Sequence, residues 1–175
     1  KEAENTIISF HKKTRNPCVI YRLPGVFGKW CKPNYNSVVA TFCYNIIHDI
    51  PVQINDETTR LRLVYVDDVV SSFIHSIQVE TEGFSMPEIE PEYSITLGEL
   101  AEQLNSFMNC RSSLILEPVG KGLTRALYST FVSYLTPEQF SYPLIHYGDE
   151  RGMFVEVFKT KDSGQFSFFT SLPNV

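Results

Sequence analysis

Helix-period and strand-like segments take turns along roughly the first 110 residues, the pattern of a parallel sheet whose strands are joined by helices on its faces. Lys1 to Arg15 place Ala3, Ile7, Ile8 and Phe10 near one face, with Glu2, Glu4, Lys12 and Lys13 largely off it, predicting an amphipathic helix. No N-cap residue precedes "KEAE", so the segment reads like the interior of a longer helix. Asn16-Pro17 breaks it, because the residue before proline avoids the right-handed helical region. The apolar run "CVIYRL" then predicts a strand buried on both faces.

That run meets "PGVFGKWCKPNYNSV", and the strand is expected to end at the Pro24-Gly25 bend. Ligands of open α/β sheets sit outside the carboxyl ends of the strands, which would put this loop at the rim of a site. Pro24 removes a backbone donor, while Gly25 and Gly28 would let a planar ligand approach the main chain. Asn34, Asn36 and Ser37 offer neutral donors at a helix start, which suits a pyrophosphate or the hydroxyls and amide of a sugar. A crossover loop leading into a well-capped helix has the same pattern, and these residues alone leave both readings open.

Ser37 caps the next predicted helix, in which Val38, Val39, Phe42, Ile46 and Ile47 recur at three and four, and Pro51 ends it. "VQI" and "LRLVYV" read as short strands joined by the polar turn "NDETT". Arg60 and Arg62 share one face of the second and could pair with a phosphate. Asp67 and Asp68 then open a helical run through Ser76, where capping outweighs metal or acid–base work. Residues 80–92 carry five Glu besides Pro87 and Pro91 and predict a surface loop. "YSITLGELAEQLNSF" is strand-like and then helical, with Thr96 and Glu99 spaced as a capping box. "GKGLTRALYSTFVSYL" predicts another helix, its aromatics and those up to Tyr142 serving the core. From Tyr147 the texture changes to two β-strands, "GMFVEVFKT" and "GQFSFFTSL", so the chain divides into residues 1–146 and 147–175.

At 175 residues, 43% hydrophobic and 20% charged, the composition is that of a folded domain. A net charge of −5 and a pI near 5.4 lack the basic stripe that phosphate-backbone binding requires, so no nucleic-acid partner is expected. Cys18, Cys31, Cys43 and Cys110 lie far apart and read as reduced, mostly buried thiols. The four histidines are isolated in sequence, and no metal site is signalled. No apolar run approaches the roughly 18–20 residues that span a bilayer, so no membrane association and a cytoplasmic location are expected.

In order, "KEAE…VIYRLPGVFG…YVDDVV…LGEL" resembles the second half of an extended short-chain dehydrogenase/reductase of the nucleotide-sugar type. "RLPGVFGKWCKPNYNSVVATFCYNI", "LYSTFVSYL", "FSYPL" and "DERGMFVEVFKTKDSGQFS" resemble more closely a family of capsular polysaccharide synthesis enzymes, the CapF (WbjC) type, in which such a reductase is fused to a C-terminal cupin. The tail "D-x-R-G-x-F", here Asp149, Arg151, Gly152 and Phe154, is similar to the opening strands of sugar-epimerase cupins.

The resemblance implies a Rossmann-type α/β half-domain that binds substrate, followed by the first strands of a cupin. It implies a parent enzyme that reduces a UDP-linked 4-keto-6-deoxy-N-acetyl sugar with NADPH, on the route to UDP-N-acetyl-L-fucosamine. By its motif order, Leu23, Pro24 and Gly25 would face the nicotinamide, and Asn34, Asn36, Ser37 and Arg62 the UDP-linked amino sugar. Neither the glycine-rich pyrophosphate loop nor the Tyr-x-x-x-Lys proton donor occurs in these residues, so no catalytic residue and no activity of the chain alone are expected. No metal is expected in this part of the cupin. The alternatives are part of an epimerase or dehydratase with tightly held NAD, and a non-catalytic oligomerisation module. Open strand edges make a homo-oligomer the expected state.

Overall fold

The computed structural model describes residues 1–79 and 83–173. Residues 80–82 of the predicted acidic loop lie outside the described residues. The chain is α/β, in the order α1 (Glu2–Thr14), β1 (Cys18–Val19), β2 (Gly25–Phe27), α2 (Val38–Ile47), β3 (Arg60–Tyr65), α3 (Val66–Gln78), β4 (Phe84–Ser85), β5 (Glu92–Thr96), α4 (Leu97–Ser113) and α5 (Gly122–Val132). A 3₁₀ turn at Pro137–Phe140 leads to β6 (His146–Asp149), β7 (Gly152–Lys159) and β8 (Gln165–Ser171).

β3 is the centre of the first sheet. It pairs parallel with β2 and antiparallel with β5, so the sheet is mixed where the sequence predicted parallel strands. Successive residues of a strand face opposite sides, and β3 shows it: Leu63 and Tyr65 enter the main core while Val64 belongs to a second cluster with Val69, Ile89 and Tyr21. The main core is closed by α2, α4 and α5, whose Val39, Phe42, Cys43, Leu100, Leu104, Leu127 and Phe131 are buried.

Caps follow the sequence closely. The Ser37 hydroxyl accepts from the Ala40 amide at 3.3 Å, and Asp49, with φ 55°, turns the chain out after α2. Thr96 and Glu99 form the full capping box on α4, the Glu99 amide donating to Thr96 Oγ1 at 3.2 Å and the Thr96 amide donating to Glu99 Oε2 at 2.8 Å.

Several expectations are corrected. "CVIYRL" is not one strand: Cys18–Val19 pairs with Phe84–Ser85, a strand within the predicted acidic loop, and the chain then crosses to another sheet, where Gly25–Phe27 pairs with Leu63–Tyr65. Pro24, which cannot donate to a ladder, sits at that crossing. Gly25 therefore opens a strand rather than ending one. A Cβ there would lie 3.1 Å from Arg62 O and 3.1 Å from Leu63 Cδ2, so the close approach that glycine permits is to the neighbouring strand. "VQI" forms no strand, because both ladders of β3 are already taken; Val52 and Ile54 pack against the core without ladder bonds. Of the four cysteines only Cys43 is buried, and all are free. α1 forms as predicted, yet none of its residues is buried, with Ile7 at 39% and Phe10 at 49% exposure.

Tyr65, not an aspartate, precedes α3, and no side chain caps that helix. Asp67 and Asp68 lie inside the first turn, where their charge favours the positive helix end without a side-chain cap bond. Asp67 is drawn instead to the Lys29 ammonium, 2.9 Å away. Asp68 is half-buried, with Oδ2 buried and unpartnered, and burial raises its carboxyl above the usual range.

The tail is an antiparallel meander in the order β6-β7-β8. Its two predicted strands are present, and β6 adds a third that the sequence reading missed, since "HYGD" lacks an apolar alternation and all four residues are exposed. The division placed between residues 146 and 147 falls one residue into β6. Main-chain bonds tie this sheet to the end of α4: the Lys159 amide donates to Leu114 O at 2.7 Å, and the Leu116 amide donates to Lys159 O at 2.8 Å.

Two predictions follow from this packing. A Cβ on Gly28 would stand 2.2 Å from Val66 Cγ1 and 2.9 Å from Val66 Cβ, and valine is stiff about χ1. Gly28→Ala is expected to destabilise by about 1–3 kcal/mol in urea unfolding, and Val66→Ala in the same chain to restore part of the loss. The second concerns Asp68. Its folded pKa lies above the unfolded value, so the folded protein holds this proton more tightly and stability drains as pH rises through the carboxylate range. Asp68→Asn should therefore gain on the parent in thermal unfolding between about pH 3 and pH 7; a constant offset would count against the buried carboxylate.

Candidate functional site

Pro24 and Arg62, thirty-eight positions apart, line one polar cleft of about 480 Å³ together with Arg22, Glu88, Glu90 and Glu92. β3 places Arg62 on the same side as Val64, away from the main core, and the antiparallel register brings Glu92 of β5 within reach. Arg62 is gripped in a two-point fork, Nε to Glu92 Oε1 at 2.6 Å and Nη2 to Oε2 at 2.7 Å. That hydrogen bonding raises the guanidinium and holds the Glu92 carboxyl below its usual range. Arg22 is held in the same way by Glu4 of α1, with both contacts at 2.9 Å. The two guanidiniums are largely exposed and each is forked to a carboxylate. A planar anion can take such a carboxylate's place without new geometry.

A second, neighbouring cleft of about 470 Å³ shares Glu88 and Glu90 and is lined along α3 by Asp68, Ser72, His75 and Ser76. The Tyr21 hydroxyl stands at its edge, donating to Ser72 O at 3.2 Å, with Ser76 Oγ at 2.5 Å. Among the described residues no three metal-ligating side chains come together.

Asn34, Asn36 and Ser37 do not line the Pro24–Arg62 cleft. They belong to the loop between β2 and α2, which is pinned from behind. The Asn34 amide donates to Thr41 Oγ1 at 2.9 Å, the Trp30 amide donates to Ser133 Oγ at 3.2 Å, and the Tyr134 hydroxyl donates to Cys31 O. Ser37 is buried and its hydroxyl is engaged with the helix, whereas Asn34 and Asn36 are exposed. The seven residues singled out from the sequence thus fall in two groups. Pro24 and Arg62 share a cleft, with Leu23 exposed beside it and Gly25 turned to β3, and the three amide and hydroxyl residues stand on a separate loop.

Arg22, Glu88, Glu90 and Glu92 were not singled out as site residues. Arg22 and Glu92 find their places through pairing partners 18 and 30 positions away. A fork of that span leaves no local pattern, although the acidic run before β5 marked where the carboxylates are concentrated.

No protein-family model matches this chain. It is 55% identical over 159 residues, 91% of its length, to the UDP-2-acetamido-2,6-beta-L-arabino-hexul-4-ose reductase of Pseudomonas aeruginosa, of which the match covers 43%. Its fold superposes on the crystal structure of the capsular polysaccharide assembling protein CapF from Staphylococcus aureus with a TM-score of 0.91 and 39% identity, covering 99% of this chain and 47% of that one. The Thermus thermophilus UDP-glucose 4-epimerase solved with NAD matches at a TM-score of 0.58 and 15% identity, over 75% of this chain and 50% of that one, a likeness of fold alone. The chain spans about half the length of the relatives it matches, or somewhat less. The resemblance read from "RLPGVFGKWCKPNYNSV" and the tail is thus borne out: the chain is similar in sequence to that reductase and in fold to CapF.

Proposed function

We propose that this chain is the substrate-binding part, with the opening strands of a cupin, of a cytoplasmic NADPH-dependent reductase of a UDP-linked 4-keto-6-deoxy-N-acetyl sugar serving capsular polysaccharide synthesis. The observation that carries this reading is the 55% identity to a UDP-sugar reductase over nearly the whole chain. It is joined by a cleft in which a proline and two arginines from separate segments converge.

The residues fit a nicotinamide in part. Leu23 is exposed, and Pro24 lines the cleft without an amide hydrogen to solvate, a flat apolar edge suited to one face of a ring. Gly25, exposed with its Cβ side against β3, would offer only its main chain to the ring. NADPH, when bound, supplies the hydride. The chain's own residues bind and orient: Leu23 and Pro24 would support the ring, and Arg62, released from Glu92, would fork onto the anionic or carbonyl oxygens of the sugar nucleotide. Asn34 and Asn36, exposed on the loop, are the neutral donors available to the sugar. No proton donor is assigned among these residues.

In the full-length polypeptide carrying this sequence, a UDP-linked 4-keto-6-deoxy sugar is expected to drive net NADPH consumption, followed by absorbance at 340 nm. Turnover through tightly held NAD with no net consumption would overturn the reading in favour of an epimerase or dehydratase. Arg62→Ala is expected to raise KM for the UDP-sugar about tenfold, the loss typical of a charge-assisted hydrogen bond, with kcat changed far less.

A further inference from the structure

The loop between β2 and α2 presents two large aromatic side chains to solvent, Trp30 at 79% and Tyr35 at 77% exposure. Isolated exposed apolar residues need no explanation, but these two are held out rather than left out. Trp30 has φ 61°, a left-handed conformation that bulky residues seldom adopt and that costs on the order of 1–3 kcal/mol, and Asn34, a residue that tolerates that region, has φ 55°. The bonds to Ser133, Thr41 and Tyr134 keep the loop in that shape. Each ring also carries a cation: Lys29 Nζ lies 5.8 Å from the Trp30 ring centre, and Lys32 Nζ 6.0 Å from that of Tyr35. In a chain of net charge −5, an aromatic and cationic knuckle of this kind favours an anion bearing a flat ring.

A nucleoside diphosphate has both parts, and Asn34 and Asn36 stand on the same loop. We infer that Trp30 is the stacking platform for the base of the sugar nucleotide, with Lys32 beside Tyr35 meeting its diphosphate. Lys29, tied to Asp67 at 2.9 Å, braces the indole rather than contacting the ligand. This inference rests on the UDP-sugar reading of the protein and names the residues that would hold the nucleotide end.

Trp30 is the only tryptophan in this sequence, which gives the test an optical readout. In the full-length polypeptide, the fluorescence component that Trp30→Phe removes is expected to be quenched by UDP and by UDP-GlcNAc, and not by free GlcNAc. Trp30→Phe keeps a flat ring and should hold UDP within a few-fold of the parent. Trp30→Leu, which faces the same left-handed backbone, should weaken UDP about tenfold or more, the loss of one base-stacking contact. Circular dichroism of both variants checks that they fold alike. If Trp30→Leu binds UDP as the parent does while Arg62→Ala still raises KM for the UDP-sugar, the stacking role falls and the reductase reading stands. If the parent binds no UDP at all, the reading of function falls with it. A change in sedimentation on Trp30→Leu with UDP binding intact would make the loop a protein interface and overturn the proposal.

Discussion

Nearly everything in the first sheet depends on β3 being used on both edges and both faces. Its ladders hold β2 and β5, its Leu63 and Tyr65 meet the helices, and its Val64 meets Val69 and Ile89. A one-residue slip would exchange the two sets and send Arg62 toward the helices. The contact between Gly28 and Val66 locks the same strand end, since the chain leaving β2 can lie against the start of α3 only where a side chain is missing. The site inherits this rigidity: the fork from Arg62 to Glu92 follows from the register, not from a loop's choice.

What the sequence disclosed, and what it withheld, divides by the range of the interactions. Helices with local signals were legible to within a few residues: the Ser37 cap, the Thr96–Glu99 box and the three-and-four spacing of Val39, Phe42 and Ile46 are all settled within one or two turns. Strands depend on partners elsewhere. "CVIYRL" and "VQI" have the composition of strands, and only the pairing of β1 with β4 and of β3 with β2 and β5 decides which residues join a ladder. β6 was invisible for the opposite reason, a segment without apolar alternation recruited by the register of β7.

The same division runs through the site. The loop was recognisable because proline, glycine and amides mark irregular backbone, and its motif order carried the family likeness. Its chemistry was assigned too locally. Of the two glycines read as openings for a ligand, Gly28 is buried against Val66 and Gly25 turns its Cβ side to Arg62 and Leu63, while the cleft that does form is built from Arg22, Arg62, Glu88, Glu90 and Glu92.

The join between the tail sheet and the segment that follows α4 is made by the main chain. Leu114, Leu116 and Lys159 exchange amide-to-carbonyl bonds, and among side chains Lys161 reaches Glu117 at 2.7 Å. Every residue except proline carries both an amide hydrogen and a carbonyl, so most amino-acid replacements at those positions leave the seam standing. Kinship between distant versions of this chain should therefore persist at that hinge in geometry long after its letters have drifted.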